Sequence, residues 1–153
     1  MNRLIVSPSC PEDAERLGPN LRQADRDEVA AASGLEPTAS LRRALEVCDD
    51  PYTITTAGRP IAMFGVTPMG GTVGAPWLLG SDGVLEHWRE FVRRSGEEFA
   101  RIRRPYTYLY NYCDARNELA MRWLRWLGFE FVELEPAYGV ARMPFWRFEY
   151  EES

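Results

Sequence analysis

Few residues in this chain are equipped for chemistry, and their types narrow it at once. The eighteen basic residues are all arginine, with no lysine, which removes Schiff-base formation, a phosphate-loop lysine and a Ser-Lys dyad. His87 is the only histidine and stands beside Glu86 and Glu90 at the start of a helical stretch. It is either a general base, since imidazole titrates in the useful range, or an ordinary surface histidine. Asn111, on an alternating strand, and Asn117, at a strand-to-helix junction, are better suited to a site, although Asn117 is equally suited to cap the helix. Tyr106, Tyr108, Tyr110 and Tyr112 recur at period two, either as a core-filling ladder or as proton donors. Cys10, Cys48 and Cys113 are an odd number with no close spacing, so neither a paired disulfide framework nor a metal knuckle can be drawn and a reducing setting is expected. No nucleophile elbow, zinc spacing or dinucleotide fingerprint is present.

The elements that must hold these residues follow from pattern. Residues 3 to 7 are a short β-prone run, and the Pro- and acid-rich segment from Ser7 to Asn20 reads as a loop with at most a short helix. A helix capped by Asp25 or Asp27 ends at Gly34, and a second is capped by Thr38 or Ser40. YTITTAGRPIAMFGV (52 to 66) reads as a hairpin turning at Ala57-Gly58-Arg59-Pro60. APWLL (75 to 79) is a short strand broken by Gly80-Ser81-Asp82-Gly83. One long helix then runs from about Val84 to Arg103, with Leu85, Trp88, Val92, Phe99 and Ile102 as its apolar contacts and Gly96 as its weak point. After the tyrosine strand comes NELAMRWLRWLGFEF, a helix from about Glu118 to Leu127. Its polar stripe of Glu118, Arg122 and Arg125 is narrow enough to require sandwiching, and Gly128 is a left-handed stop. Two more strands flank Pro136 to Gly139.

With 153 residues, 45% of them hydrophobic, and no linker or repeat, the chain makes one domain, 1–153, with one sizeable core. A net charge of −5 argues against nucleic acid as the main partner, and the glutamates interspersed among the arginines of the long helix favour a salt-bridged face. No apolar run is long enough to span a membrane, and the first residues carry no apolar signal core.

The order of elements, together with Asn-x-x-Ala-x-x-Trp-Leu-x-x-Leu-Gly-Phe at 117 to 129, resembles the GCN5-related N-acetyltransferase (GNAT) family. That family carries an Asn-x-x-Ala-x-x-Leu-Tyr-x-x-x-Gly-Phe motif before its sixth strand. The resemblance covers residues 50 to 150 and implies an α+β fold, a mixed central sheet flanked by helices, with acetyl-CoA as cofactor. It implies that Leu78, Leu79, Gly80, Ser81 and Gly83 lie along the pantetheine and pyrophosphate, because backbone N–H groups at a helix start favour anions, and that Asn117 aids placement. Two departures are evident. The loop lacks the family's opening Gln or Arg and carries Asp82, which would repel a pyrophosphate or cap the helix. Leu124 stands where the family commonly has a tyrosine that protonates the leaving thiolate.

YLYNYCDARNELAMRWLRWLGF, with RPIAMFGV and PWLLGSD upstream, is similar more narrowly to acetyltransferase-like proteins of tailed phages and prophages of the podovirus type. That resemblance implies an internal virion protein serving assembly or genome ejection, located in the virion interior or host cytoplasm. Its partners would be other virion or phage proteins, with a homo-oligomer possible in principle. The alternative is an active acetyl-CoA-dependent N-acetyltransferase acting on an amine of a protein or small molecule. A nucleic-acid binder using the arginine helix is a third reading.

Overall fold

A computed structural model describes residues 3–152. Seven strands, β1 (Ile5–Pro8), β2 (Tyr52–Thr56), β3 (Arg59–Pro68), β4 (Val73–Gly80), β5 (Tyr108–Asp114), β6 (Glu130–Tyr138) and β7 (Met143–Glu151), form one sheet. Its order is β1-β2-β3-β4-β5-β7-β6. Every neighbouring pair is antiparallel except β4 and β5. That parallel pair is joined at only two positions, Val73 with Tyr108 and Gly74 with Leu109. Beyond them the strands part, and a gap opens in mid-sheet.

Helices cover the sheet on both sides. On one face α1 (Pro11–Leu17), α2 (Gln23–Ser33) and α3 (Pro37–Val47) bury Ala14, Leu17, Val29 and Leu41 against Met63 and Leu79. On the other, α5 (Trp88–Ile102) and α6 (Glu118–Leu127) bury Phe91 against Ile54, Ala62 and Phe64, and Phe99 and Leu124 against Leu109 and Phe148. Because helices lie on both sides, Ile61 to Val66 of β3 is buried without alternation. The described helices include none long and apolar enough to cross a membrane.

The hairpin and the motif helix stand where the sequence puts them, with local differences. The β2–β3 turn is two residues rather than four, Ala57 and Gly58 both having positive φ (51° and 76°), as a tight hairpin requires. The Pro-rich segment holds α1 and a single 3₁₀ turn, Gly18–Asn20. Neither Asp25 nor Asp27 caps α2, which starts earlier at Gln23, and Asp25 points inward. Glu36, rather than Thr38 or Ser40, caps α3 by accepting from the Ala39 N–H at 2.8 Å.

The long helix is not continuous. His87, at φ −119° and ψ 33°, separates a single turn, α4 (Gly83–Glu86), from α5. A Cβ on Gly83 would lie 2.6 Å from Ile61 Cγ2, so α4 is pressed on the start of β3, and the chain must restart to run along the sheet. Leu85 is consequently exposed, and Phe91 is the deeply buried contact. Gly96 is no weak point: Trp126 lies over it, 2.9 Å from where a Cβ would stand. Trp126 is itself 57% exposed, so α6 is covered on one side rather than sandwiched.

Candidate active site

Between β4 and β5 the ladder stops after two positions, and a cavity of about 320 Å³ occupies the gap. Glu28, Trp77, Tyr112 and Tyr138 line it on the α2–α3 side of the sheet, and Phe99, Trp123 and Leu124 on the α5–α6 side. The cavity therefore passes through the sheet. Asn111 stands at the gap, donating from Nδ2 to the Pro76 carbonyl at 2.8 Å and accepting the Tyr112 N–H at Oδ1. It ties β5 to β4 beyond their last ladder contact.

Strand alternation turns the backbone groups of Pro76, Leu78 and Gly80 toward the gap. Pro76 is engaged by Asn111, while the Gly80 N–H donates to Asp25 Oδ2 at 2.9 Å and its carbonyl accepts from the Arg22 N–H at 2.8 Å. Leu78 has no such side-chain or loop partner among the described residues. The loop that follows is held partly by β3 and partly by its own Ser81. The Ser81 N–H donates to the Ile61 carbonyl at 2.8 Å and the Gly83 N–H to Ser81 Oγ at 3.1 Å. Ser81, not Asp82, therefore caps the turn; Asp82 makes no capping bond.

An acidic cluster sits at the α2 end of the gap. Glu28 Oε1 accepts from the Asp114 N–H at 2.9 Å, Asn117 Nδ2 at 3.4 Å and Cys113 Sγ at 3.6 Å. None of the hydrogen bonds among the described residues goes to its Oε2. Asn117 is 2% exposed and serves both roles open to it: it caps α6 at the Ala120 N–H, and Nδ2 also donates to Asp25 Oδ1 at 3.1 Å. Burial pushes the Glu28 carboxyl up to about 7, the nearby Asp25 charge pushes the same way, and the two hydrogen-bond donors only partly offset them. Burial also raises Asp25, against Arg22, the Gly80 N–H and Asn117. For Asp114 burial acts upward as well, but the Arg116 side chain and N–H outweigh it and hold the carboxyl below its ordinary value. Burial, then Glu28, raises the Cys113 thiol, which is therefore no thiolate nucleophile.

Of the residues singled out by sequence, the structure brings Leu78, Leu79, Asn111 and Asn117 to the cavity or the adjoining crevice. Gly80 joins them with both backbone groups occupied, Ser81 and Gly83 turn away toward β3, and His87 lines neither space. The tyrosines of β5 are a half-buried outer layer rather than a core ladder. Arg147 donates to the hydroxyls of Tyr108 and Tyr112 and lies 4.5 Å from the Tyr110 ring centroid. Glu28 and Asp25 were not evident as site residues. Their signal is acids at positions 25 and 28, in step with Val29 and Ala32 on the inward face of α2.

Acetyl-CoA, the cofactor that the resemblance implies, is matched in part. An acyl-pantetheine arm finds a through-sheet apolar cavity and the unengaged backbone of Leu78. A pyrophosphate finds the Gly80, Ser81 and Gly83 N–H groups already bonded and the Asp25 carboxylate on the first of them. Among the described residues no cluster of side chains could hold a metal ion.

No family model matches the chain, and no curated protein matches its sequence. Solved structures do match. A GCN5-related N-acetyltransferase from Kribbella flavida superposes with a TM-score of 0.71 at 15% identity, over 97% of this chain and 98% of that one. Ard1 from Thermoplasma volcanium gives 0.69 at 13%, over 98% of both. A Bacillus subtilis acetyltransferase in complex with CoA gives 0.67 at 7%, over all of both chains. The chain thus has the fold of the GNAT acetyltransferases, with its sheet gap and acidic cluster in one place.

Proposed function

We propose that the protein is an acyl-CoA-dependent N-acyltransferase acting on an amine. The observation that carries this is the through-sheet cavity, with the Glu28 carboxylate lining one end. When bound, an acyl-CoA thioester supplies an electrophilic carbonyl and a thiolate leaving group. Glu28 takes a proton from the acceptor ammonium, for which a base titrating at about 7 is well matched. The freed amine nitrogen would form the new C–N bond as the C–S bond breaks, and the second proton that the nitrogen sheds on becoming an amide would pass to the departing sulfur. Leu78 offers its N–H and carbonyl to the thioester arm, and Asn111 keeps the gap at its width. Leu124 has no proton for the departing sulfur, so the thiolate leaves without an acid from α6.

A second reading is favoured by one observation, the Asp25 carboxylate on the Gly80 N–H with the Ser81 and Gly83 N–H groups already bonded. In it the scaffold is kept and the protein works through contacts in a phage particle, as the podovirus-type resemblance suggests. Calorimetric titration with acetyl-CoA and with CoA separates the two. The acyltransferase reading expects saturable binding at micromolar to sub-millimolar cofactor. Absence of binding at millimolar cofactor, with the chain recovered by mass spectrometry in purified particles, supports the second reading instead.

A further inference from the structure

On the α2–α3 side, the cavity is not a featureless apolar hole. Tyr112 and Tyr138 stack with ring centroids 4.4 Å apart and planes 22° apart, and Tyr138 continues onto Phe145 at 4.7 Å. Trp77 stands on β4 across the gap from Tyr112. The aromatic wall is fixed in place because the turn between β6 and β7 is fastened to α2. The Val140 N–H donates to the Ala32 carbonyl and the Ala141 N–H to the Ala31 carbonyl, at 3.3 and 3.1 Å. Gly139, at φ +72°, approaches so closely that a Cβ would lie 2.5 Å from the Ala31 carbonyl oxygen.

That fastening also bridges the cleft at this end. An extended peptide laid between α2 and the sheet would run into the turn, so the cleft takes a compact molecule rather than a chain. Charge narrows the choice further. Among the described residues the one acid lining this half is Glu28, with Asp25 in the adjoining crevice, and Ser33 and Ser40 add neutral hydroxyls. The one cation among the strand tyrosines, Arg147, is engaged by the Tyr108 and Tyr112 hydroxyls and lies 3.6 Å from Glu149. A substrate carboxylate or phosphate would find no free counter-charge there and would face the Glu28 carboxylate, with Asp25 close behind it. An ammonium would find Glu28 Oε2, and the apolar body attached to it would find the Trp77, Tyr112 and Tyr138 rings.

We propose that this half of the cavity is a binding site for a small primary amine carried on an aromatic or compact apolar group without a carboxylate. Tyr138 and Tyr112 would hold the apolar body and Glu28 the ammonium. The proposal rests on the acyl-transfer reading only in naming this amine the acceptor; the binding site itself is a separate claim.

Titration of the full chain by calorimetry with 2-phenylethylamine, spermidine, phenylalanine and a short peptide with a free N-terminus tests it, each with and without acetyl-CoA. 2-Phenylethylamine is expected to bind at least tenfold more tightly than the other three. Tyr138→Ala should weaken it tenfold or more, Tyr138→Phe should restore it to within about twofold because the ring and not the hydroxyl makes the contact, and Glu28→Gln should weaken it severalfold. Circular dichroism of each variant confirms folding before titration. Tighter binding of the peptide, spermidine or phenylalanine overturns the proposal, as does indifference to Tyr138→Ala or absence of 2-phenylethylamine binding. Amine binding without acetyl-CoA binding sinks the acyl-transfer reading alone; acetyl-CoA binding without amine binding sinks this proposal alone.

Discussion

At the residue scale the account turns on Glu28. Folding raises its pKa from the ordinary 4.5 to about 7, so the folded protein holds that proton more tightly than the unfolded chain. The stabilisation this contributes is complete below the unfolded value and is lost as pH rises through about 7. That difference corresponds to between about 3 and 4 kcal/mol as an upper bound. Asp25, also raised, acts in the same sense, whereas Asp114, lowered, contributes stability that is lost only as pH falls through its folded value. Glu28→Gln should therefore flatten the decline in stability between about pH 4.5 and 7, as read by urea denaturation at several pH values; an unchanged decline would remove Glu28 as its source. Asn117 is the other sensitive position. Replacing it with Ala deletes a helix cap and the donor shared by two buried carboxylates, at a cost of about 2–3 kcal/mol in the same assay.

At the element scale, fastening the β6–β7 turn to α2 is what gives the cleft its fixed wall. Gly139→Ala, strained by its positive φ and by the contact with Ala31, should cost about 1–3 kcal/mol and expose the Val140 and Ala141 amides to faster hydrogen exchange than in the unaltered protein. Unchanged protection of those amides would show that the turn is held by something else. The same scale explains what the sequence made legible. The hairpin and α6 were readable because local signals, Gly58, Asn117 and Gly128, agree with the packing that each element finds. The break at His87 was not, because His87 itself does not disfavour helix; it accompanies the pressing of α4 on Ile61, a contact between Gly83 and a residue 22 positions earlier. The site was half legible for a related reason. The motif pointed to Asn117 and the β4 end, but the acids that Asn117 serves arrive on α2, some ninety residues earlier, and only the folded chain brings them together.

At the scale of the whole molecule, a sheet whose parallel pair is joined at two positions and then parts creates one passage between two helical layers. In the proposed reaction that passage brings a thioester arm along Leu78 to an amine on the α2–α3 side. The bonded N–H groups of Gly80, Ser81 and Gly83 oppose tight binding of the pyrophosphate, so weak cofactor affinity, nearer sub-millimolar than micromolar, belongs to the account. The most direct measurement of its central claim is thiol release from acetyl-CoA in the presence of a primary amine, followed from about pH 5.5 to 8.5 for the unaltered chain and for Glu28→Gln. The account predicts amine-dependent release that rises through about pH 7 and falls at least tenfold in the variant, with loss of that pH dependence. No amine-dependent release across that range, or equal release by Glu28→Gln, would contradict it.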